Sequence, residues 1–243
     1  MKTVLIIGSA PDAVQAASWP KPRDTLIVAI NNAWRIREDW DYLIHPDDFP
    51  EDRLPETVSA NQEICTSAEY VPAQNRYGGF VYAGGTMAFT AGYWALDALK
   101  PQIMAYIGCD MIYDGSTTHF YGSGTADPLR EDVTLANLEA KSARLMALAS
   151  VQGCVCVNLS KKPKSRLIFP RASSDDLDRT CPIPKIDQRF VEDALKHEMK
   201  LNYFVESGEY WKQMELFDPK EIAEIDKLWL SSCASSAASD PVF

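Results

Sequence analysis

His119 stands in the segment Asp110-Met111-Ile112-Tyr113-Asp114-Gly115-Ser116-Thr117-Thr118-His119-Phe120-Tyr121-Gly122. An imidazole exchanges protons near neutral pH, and the hydroxyls around it donate and accept hydrogen bonds. Loops this dense in such groups, carried on a rigid scaffold, are usually functional. Four shorter motifs add to it. Gly8-Ser9-Ala10-Pro11 offers a tight turn whose amides can face an anion, or an ordinary strand-to-helix turn. Asn31-Asn32 supplies two uncharged carboxamides that read a base or a sugar, or that cap a turn. His45 precedes Pro46-Asp47-Asp48, as a base, a phosphate contact or a structural imidazole. Gly84-Gly85-Thr86 opens an apolar segment, where a helix N-terminus would favour an anion.

These motifs follow apolar runs that read as strands. The runs are Thr3–Ile7, Thr25–Ile30, Tyr42–Ile44, Gln62–Cys65, Phe80–Tyr82, Ile103–Ile107 and Val155–Val157. Continuous branched apolar runs suit parallel strands buried on both faces. Thr86 to Leu99 reads as a helix buried nearly all round and stopped by Pro101; Thr134 to Ser150 reads as an amphipathic one. Strands alternating with helices predict an α/β, Rossmann-like, mostly parallel sheet with helices on both faces. In such sheets ligands bind beyond the carboxyl ends of strands. Every motif above, and Asp110 at the end of Ile103–Ile107, lies in such a position.

Composition shifts near residue 171. The expected division is a nucleotide-binding domain over 1–171, then a linker and helical extension over 172–243. Cys181-Pro182-Ile183-Pro184 reads as extended linker, followed by helices over Gln188–Phe204 and from Asp218-Pro219 onward. Asp218 and Glu221 form a capping-box pattern, and Ser231 to Asp240 is expected to fray. The roles open to this tail are a lid, a packing element or an arm that joins a second copy of the chain, with Tyr203, Phe204, Tyr210 and Trp211 as aromatics of a lid or of core packing.

The chain has 243 residues, 24 Lys plus Arg and 34 Asp plus Glu, for a net charge of −10. That charge argues against nucleic-acid polymers and anionic membranes as partners. Lys161, Lys162, Lys164, Arg166 and Arg171 reverse the sign locally, as an attractor of anions or as a solvated loop. The short apolar run at the N-terminus breaks at Gly8, and the other apolar stretches are too short to span a bilayer. Six cysteines include no CxxC pair, so reduced thiols, a cytoplasmic location and no structural metal are expected.

Taken in order, the strand-end motifs resemble those of the bacterial lipooligosaccharide sialyltransferases and their relatives in motility-accessory and surface-polysaccharide proteins. Gly8-Ser9-Ala10-Pro11-Asp12 resembles that family's first turn, and Ile30-Asn31-Asn32 its second motif. Ala83-Gly84-Gly85 resembles the turn before the apolar helix, and Gly108-Cys109-Asp110-Met111, with Tyr113, a later strand end. The resemblance covers about residues 3 to 170. It implies a glycosyltransferase-A-like domain that binds a CMP-sugar donor and a glycan acceptor, with no metal or cofactor. Carried over, Ser9 and Asn31 contact the donor, Gly84 and Gly85 form the glycine turn, and Asp110 lies near the ribose. Tyr113 and Tyr121 are then the candidates to stabilise the departing phosphate. The chain departs from the pattern at Ser9 and Ala10, and Gly124 to Lys141 contains no histidine. His119 is the candidate substitute, as base or phosphate contact. Two other functions stay open: a non-catalytic nucleotide or sugar-phosphate module, and a Mg²⁺-dependent pterin diphosphokinase using Asp47, Asp48 or Asp110.

Overall fold

In the computed structural model the described residues are 2–113, 117–122, 130–177 and 183–237. Six strands form one parallel sheet: β1 (Thr3–Ile7), β2 (Thr25–Ile30), β3 (Tyr42–Ile44), β4 (Glu63–Cys65), β5 (Ile103–Ile107) and β6 (Val155–Asn158). Their order is β4-β3-β2-β1-β5-β6, and every pair is parallel. The chain steps outward from β1 to β4, then crosses back to lay β5 beside β1. The sheet therefore has its topological switch point between β1 and β5.

Side-chain alternation divides the apolar strand residues between two cores. Val4, Ile6, Val28, Ile30, Met104, Tyr106 and Cys156 pack under the α-helical layer. Leu5, Ile7, Ile27, Ala29, Ile103, Ala105 and Val157 face the other way. That second face is covered by short 3-10 segments, Pro11–Ser18 and Asn31–Ile36, in place of long α-helices. Ala13, Ala16 and Ala33 are the small buried residues through which these segments approach the sheet.

The helical layer comprises α1 (Ser67–Asn75), α2 (Phe80–Ala83), α3 (Met87–Trp94), α4 (Leu138–Val151), α5 (Gln188–Leu201) and α6 (Pro219–Ala237). The run Phe80-Val81-Tyr82, expected as a strand, is the helix α2. Three apolar residues carry no period, and Tyr82 is used against α5, donating to the Glu198 carbonyl at 2.9 Å. The Thr86–Leu99 helix is α3 continued by a π-helical turn, Ala95–Leu99, and Lys100 then adopts a left-handed conformation before Pro101.

Two buried ion pairs hold α5 and α6 on α4. Arg144 makes paired hydrogen bonds of 2.8 Å to Glu198 and reaches the Tyr93 hydroxyl at 2.9 Å. Lys141 contacts Asp226 at 2.8 Å. Val191, Ile222, Ile225 and Trp229 belong to the same core as α3 and α4. Asp218 caps α6 through the Lys220 amide, but Glu221 does not close the expected box. Its carboxylate meets His197 Nε2 at 3.0 Å, and the Asp218 amide donates to the Tyr203 hydroxyl. The Ser/Ala-rich run expected to fray is helical to Ala237, with Ser232 and Cys233 buried; residues 238–240, Cys181 and Pro182 lie outside the described residues. No helix among the described residues is long and apolar enough to cross a membrane.

Candidate functional site

A cleft of ≈ 240 Å³ opens at the carboxyl ends of the central strands. Its floor is the switch point. A Cβ on Gly8 would collide with the Gly108 carbonyl, so β1 and β5 end in mutual backbone contact. The Gly8 amide donates to the Ile107 carbonyl at 2.8 Å and the Ala10 amide to the Gly108 carbonyl at 3.0 Å. Side chains at these positions would fill the space that the two glycines leave.

Ser9 and Ala10 rise from this floor, and Asn31, Asn32 and Thr86 line the walls. Asn31 takes a left-handed backbone, φ 53°, which asparagine tolerates better than most residues. The side-chain oxygens of Asn31 and Asn32 are buried without a hydrogen-bond partner among the described residues. Such an unmet acceptor costs about 1–3 kcal/mol and is relieved by a ligand that donates. Thr86 caps α3, accepting from the Phe89 amide at 3.4 Å, and so brings the helix N-terminus to the cleft.

The aromatic wall is Tyr113, His119 and Tyr121. His119 stacks on Tyr121 with ring centroids 5.0 Å apart, and Tyr113 lies 6.2 Å from His119. A tight turn carries the imidazole, closed by reciprocal 3.0 Å bonds between His119 and Gly122. Thr118 Oγ1 lies 2.8 Å from His119 Nδ1. Burial lowers the His119 pKa below 6.5 and so favours the neutral imidazole.

Four predicted site residues are elsewhere. His45 is buried, with Nδ1 2.8 Å from the Pro46 carbonyl and its ring against Phe49; Pro46 and Phe49 line the cleft, and His45 does not. Asp110 is buried beside β6, accepting from Asn158 at 3.1 Å with Arg171 at 3.8 Å. Gly84 packs against Phe89 and Lys141. The Gly85 amide donates to Thr134 Oγ1 at 3.2 Å. The Lys161–Arg171 run is largely engaged in holding the loop after β6. Lys162 pairs with Asp12, Arg166 with Glu139, and Arg171 donates to the Ser160 and Lys162 carbonyls.

Sequence reasoning missed Arg53. It is the one Arg or Lys among the described cleft-lining residues, and no ion pair engages it among the described residues. Its carbonyl accepts from the Trp34 indole at 3.0 Å, which ties it to the turn bearing Asn31 and Asn32. Its neighbours Glu51 and Asp52 masked it in the sequence, where the local charge is negative. Met111, quoted in the sequence only as part of a motif, is a buried, non-glycine residue at φ 53°, lining the cleft just past β5. Backbone strain of this kind collects at functional sites. Among the described residues no three His, Cys, Asp or Glu side chains are grouped to hold a metal ion.

Comparison of the chain with protein-family models, with curated proteins and with solved structures returned no match.

Proposed function

We propose that this protein is glycosyltransferase-like and takes a CMP-sugar of the sialic-acid type for transfer to a surface-glycan acceptor. One observation carries the reading. The residues matched to the family's donor contacts, Ser9 and Asn31, share one switch-point cleft with Tyr113, His119 and Tyr121. In the reaction, the acceptor oxygen bonds to the anomeric carbon as the bond from that carbon to the CMP phosphate breaks. Nδ1 of His119 is engaged by Thr118, so Nε2 receives the acceptor proton. Tyr113 and Tyr121 donate to the phosphate as its negative charge grows. Arg53 adds a cation to the same cleft. A cytoplasmic location belongs to this reading and draws support from the buried, unpaired Cys65, Cys109, Cys154, Cys156 and Cys233.

The absence of a histidine from Gly124 to Lys141 favours a second reading, the non-catalytic nucleotide or sugar-phosphate module. Asp110 does not line the cleft: one of its carboxylate oxygens accepts from Asn158, and the other is buried with no hydrogen-bond partner among the described residues. The diphosphokinase reading has less support, because of Asp47, Asp48 and Asp110 only Asp48 lines the cleft.

Incubation with CMP-sialic acid, with release of CMP followed over time, separates the readings. A transferase releases CMP with or without Mg²⁺. His119→Ala then lowers turnover by about 10²-fold or more while donor affinity stays within about twofold. Binding without release supports the module.

A further inference from the structure

The Tyr210 hydroxyl is a junction between the C-terminal segment, the Arg130–Thr134 segment and the Gly85 turn that precedes the cleft-lining Thr86. It donates to Asp132 Oδ2 at 2.8 Å and accepts from the Arg130 guanidinium at 2.7 Å. Thr134 Oγ1 donates to it at 3.3 Å and itself accepts from the Gly85 amide at 3.2 Å. The residue is buried, and its ring stacks on Phe80 of α2 with centroids 6.1 Å apart. A Cβ on Gly85 would collide with the Tyr210 hydroxyl, so the glycine at this place is explained by the tyrosine. The next residue, Thr86, lines the cleft and caps α3. Asp132 stays ionised despite its surroundings. Burial pushes its carboxyl up, yet the bonds from Thr134, Tyr210 and Arg130 outweigh this and leave it below 3.8. The junction is thus a charge-assisted network, stronger than one built of neutral groups.

We infer that Tyr210 is a positioning residue of the cleft. The C-terminal segment reaches back through this one hydroxyl to fix the Gly84-Gly85-Thr86 turn. In doing so it sets where the N-terminus of α3 meets an anionic ligand. The part of this inference that concerns a ligand rests on the nucleotide reading above; the part that concerns the turn does not. Tyr210 lies well over a hundred residues after Ser9 and Asn31 in the sequence, yet helps to build the site they line.

The test uses the full chain carrying Tyr210→Phe, compared with Glu198→Gln, which loosens the attachment of α5 to α4 at a side chain that does not touch the Gly84-Gly85-Thr86 turn. Both are studied well below their melting temperatures. Amide hydrogen exchange at residues 85–89 is read first, then the Kd for CMP. Tyr210→Phe is expected to speed exchange at Gly85 by about tenfold and to raise the CMP Kd by about tenfold, the usual weight of such a hydrogen bond. Exchange in β5 is expected to stay as in the wild type. Glu198→Gln is expected to lower the melting temperature with the CMP Kd within about twofold. A merely structural tyrosine would shift the melting temperature alone, and an unchanged Kd in Tyr210→Phe overturns the positioning role. Equal loss of CMP affinity in both variants overturns it too. A wild-type chain that does not bind CMP overturns the nucleotide reading. The exchange measurement then still decides whether Tyr210 holds the turn, and unchanged exchange overturns that.

Discussion

The backbone amide of Phe120 donates to the carbonyl of Ser9 at 3.0 Å. This bond fastens the turn that carries His119 to the turn that follows β1, across more than a hundred residues of sequence. Ser9 lies at the switch point, so the imidazole is referenced to the ends of the central strands. The candidate base and the candidate donor site thereby share one frame, as positioned catalysis requires.

His119 gives the first prediction. Its folded pKa lies below the ordinary 6.5 because burial penalises the imidazolium. Between those two values the folded state binds fewer protons than the unfolded chain. Stability therefore rises with pH through that window. The contribution is fully present above 6.5 and is lost as pH falls through the lowered value. Melting temperatures measured from about pH 5 to 7.5 should show this slope, and His119→Gln should flatten it.

Gly8 gives the second. Gly8→Ala forces a methyl against the Gly108 carbonyl and Cys109 Sγ. Overpacking of this kind costs about 1–3 kcal/mol, and here it also displaces the cleft floor. Gly153→Ala is the matched control. Gly153 has φ 74° with open space around it, so its cost is backbone strain of about 1–2 kcal/mol. Denaturant unfolding should show similar losses for both. CMP affinity should fall only in Gly8→Ala.

Arg53 gives the third. A guanidinium that meets a phosphate contributes about 1.5–3 kcal/mol. The wild type should therefore bind CMP at least about tenfold more tightly than cytidine. Arg53→Gln should remove most of that difference and leave cytidine binding unchanged, as read by isothermal titration calorimetry. Retention of the full CMP preference would remove Arg53 from the site.

The fourth concerns how the C-terminal helices are attached. Glu198→Gln leaves Arg144 buried without its carboxylate, and breaking a buried pair from one side costs about 3–5 kcal/mol. Arg144→Met combined with Glu198→Leu removes both charges and should cost less than the single change. Urea unfolding of the variants checks the order. A double variant less stable than Glu198→Gln would mean that the pair is net stabilising.

Much of the frame was legible in the sequence because buried parallel strands leave unmistakable apolar runs. Thr3–Ile7, Thr25–Ile30 and Ile103–Ile107 are strands over those spans. Phe80–Tyr82 misled because three apolar residues fit either period, and only the packing of Tyr82 on α5 decides it. The strand-end rule brought Ser9, Asn31, Asn32, Tyr113, His119 and Tyr121 to one cleft, and Thr86 reaches it although it follows α2 and not a strand. The rule gave no sense of which way a side chain turns, so Asp110 lies outside the cleft, bonded to Asn158 of β6. Arg53, and the link from Tyr210 to the glycine turn, were hidden for a different reason. Arg53 sits among acids in sequence, and Tyr210 reaches Gly85 only through the tertiary packing of α5 and α6.

The most direct test of the central claim is thermal stabilisation by CMP, CDP, UDP, GDP and ATP, each with and without Mg²⁺. A ligand present at about one hundred times its Kd adds roughly 2.7 kcal/mol. For a chain of this size that is a melting shift of about 5–10 °C. A CMP-sugar site gives this shift with CMP, independent of Mg²⁺ and larger than with any other nucleotide. A shift confined to ATP with Mg²⁺, or no shift with any of the five, would contradict it.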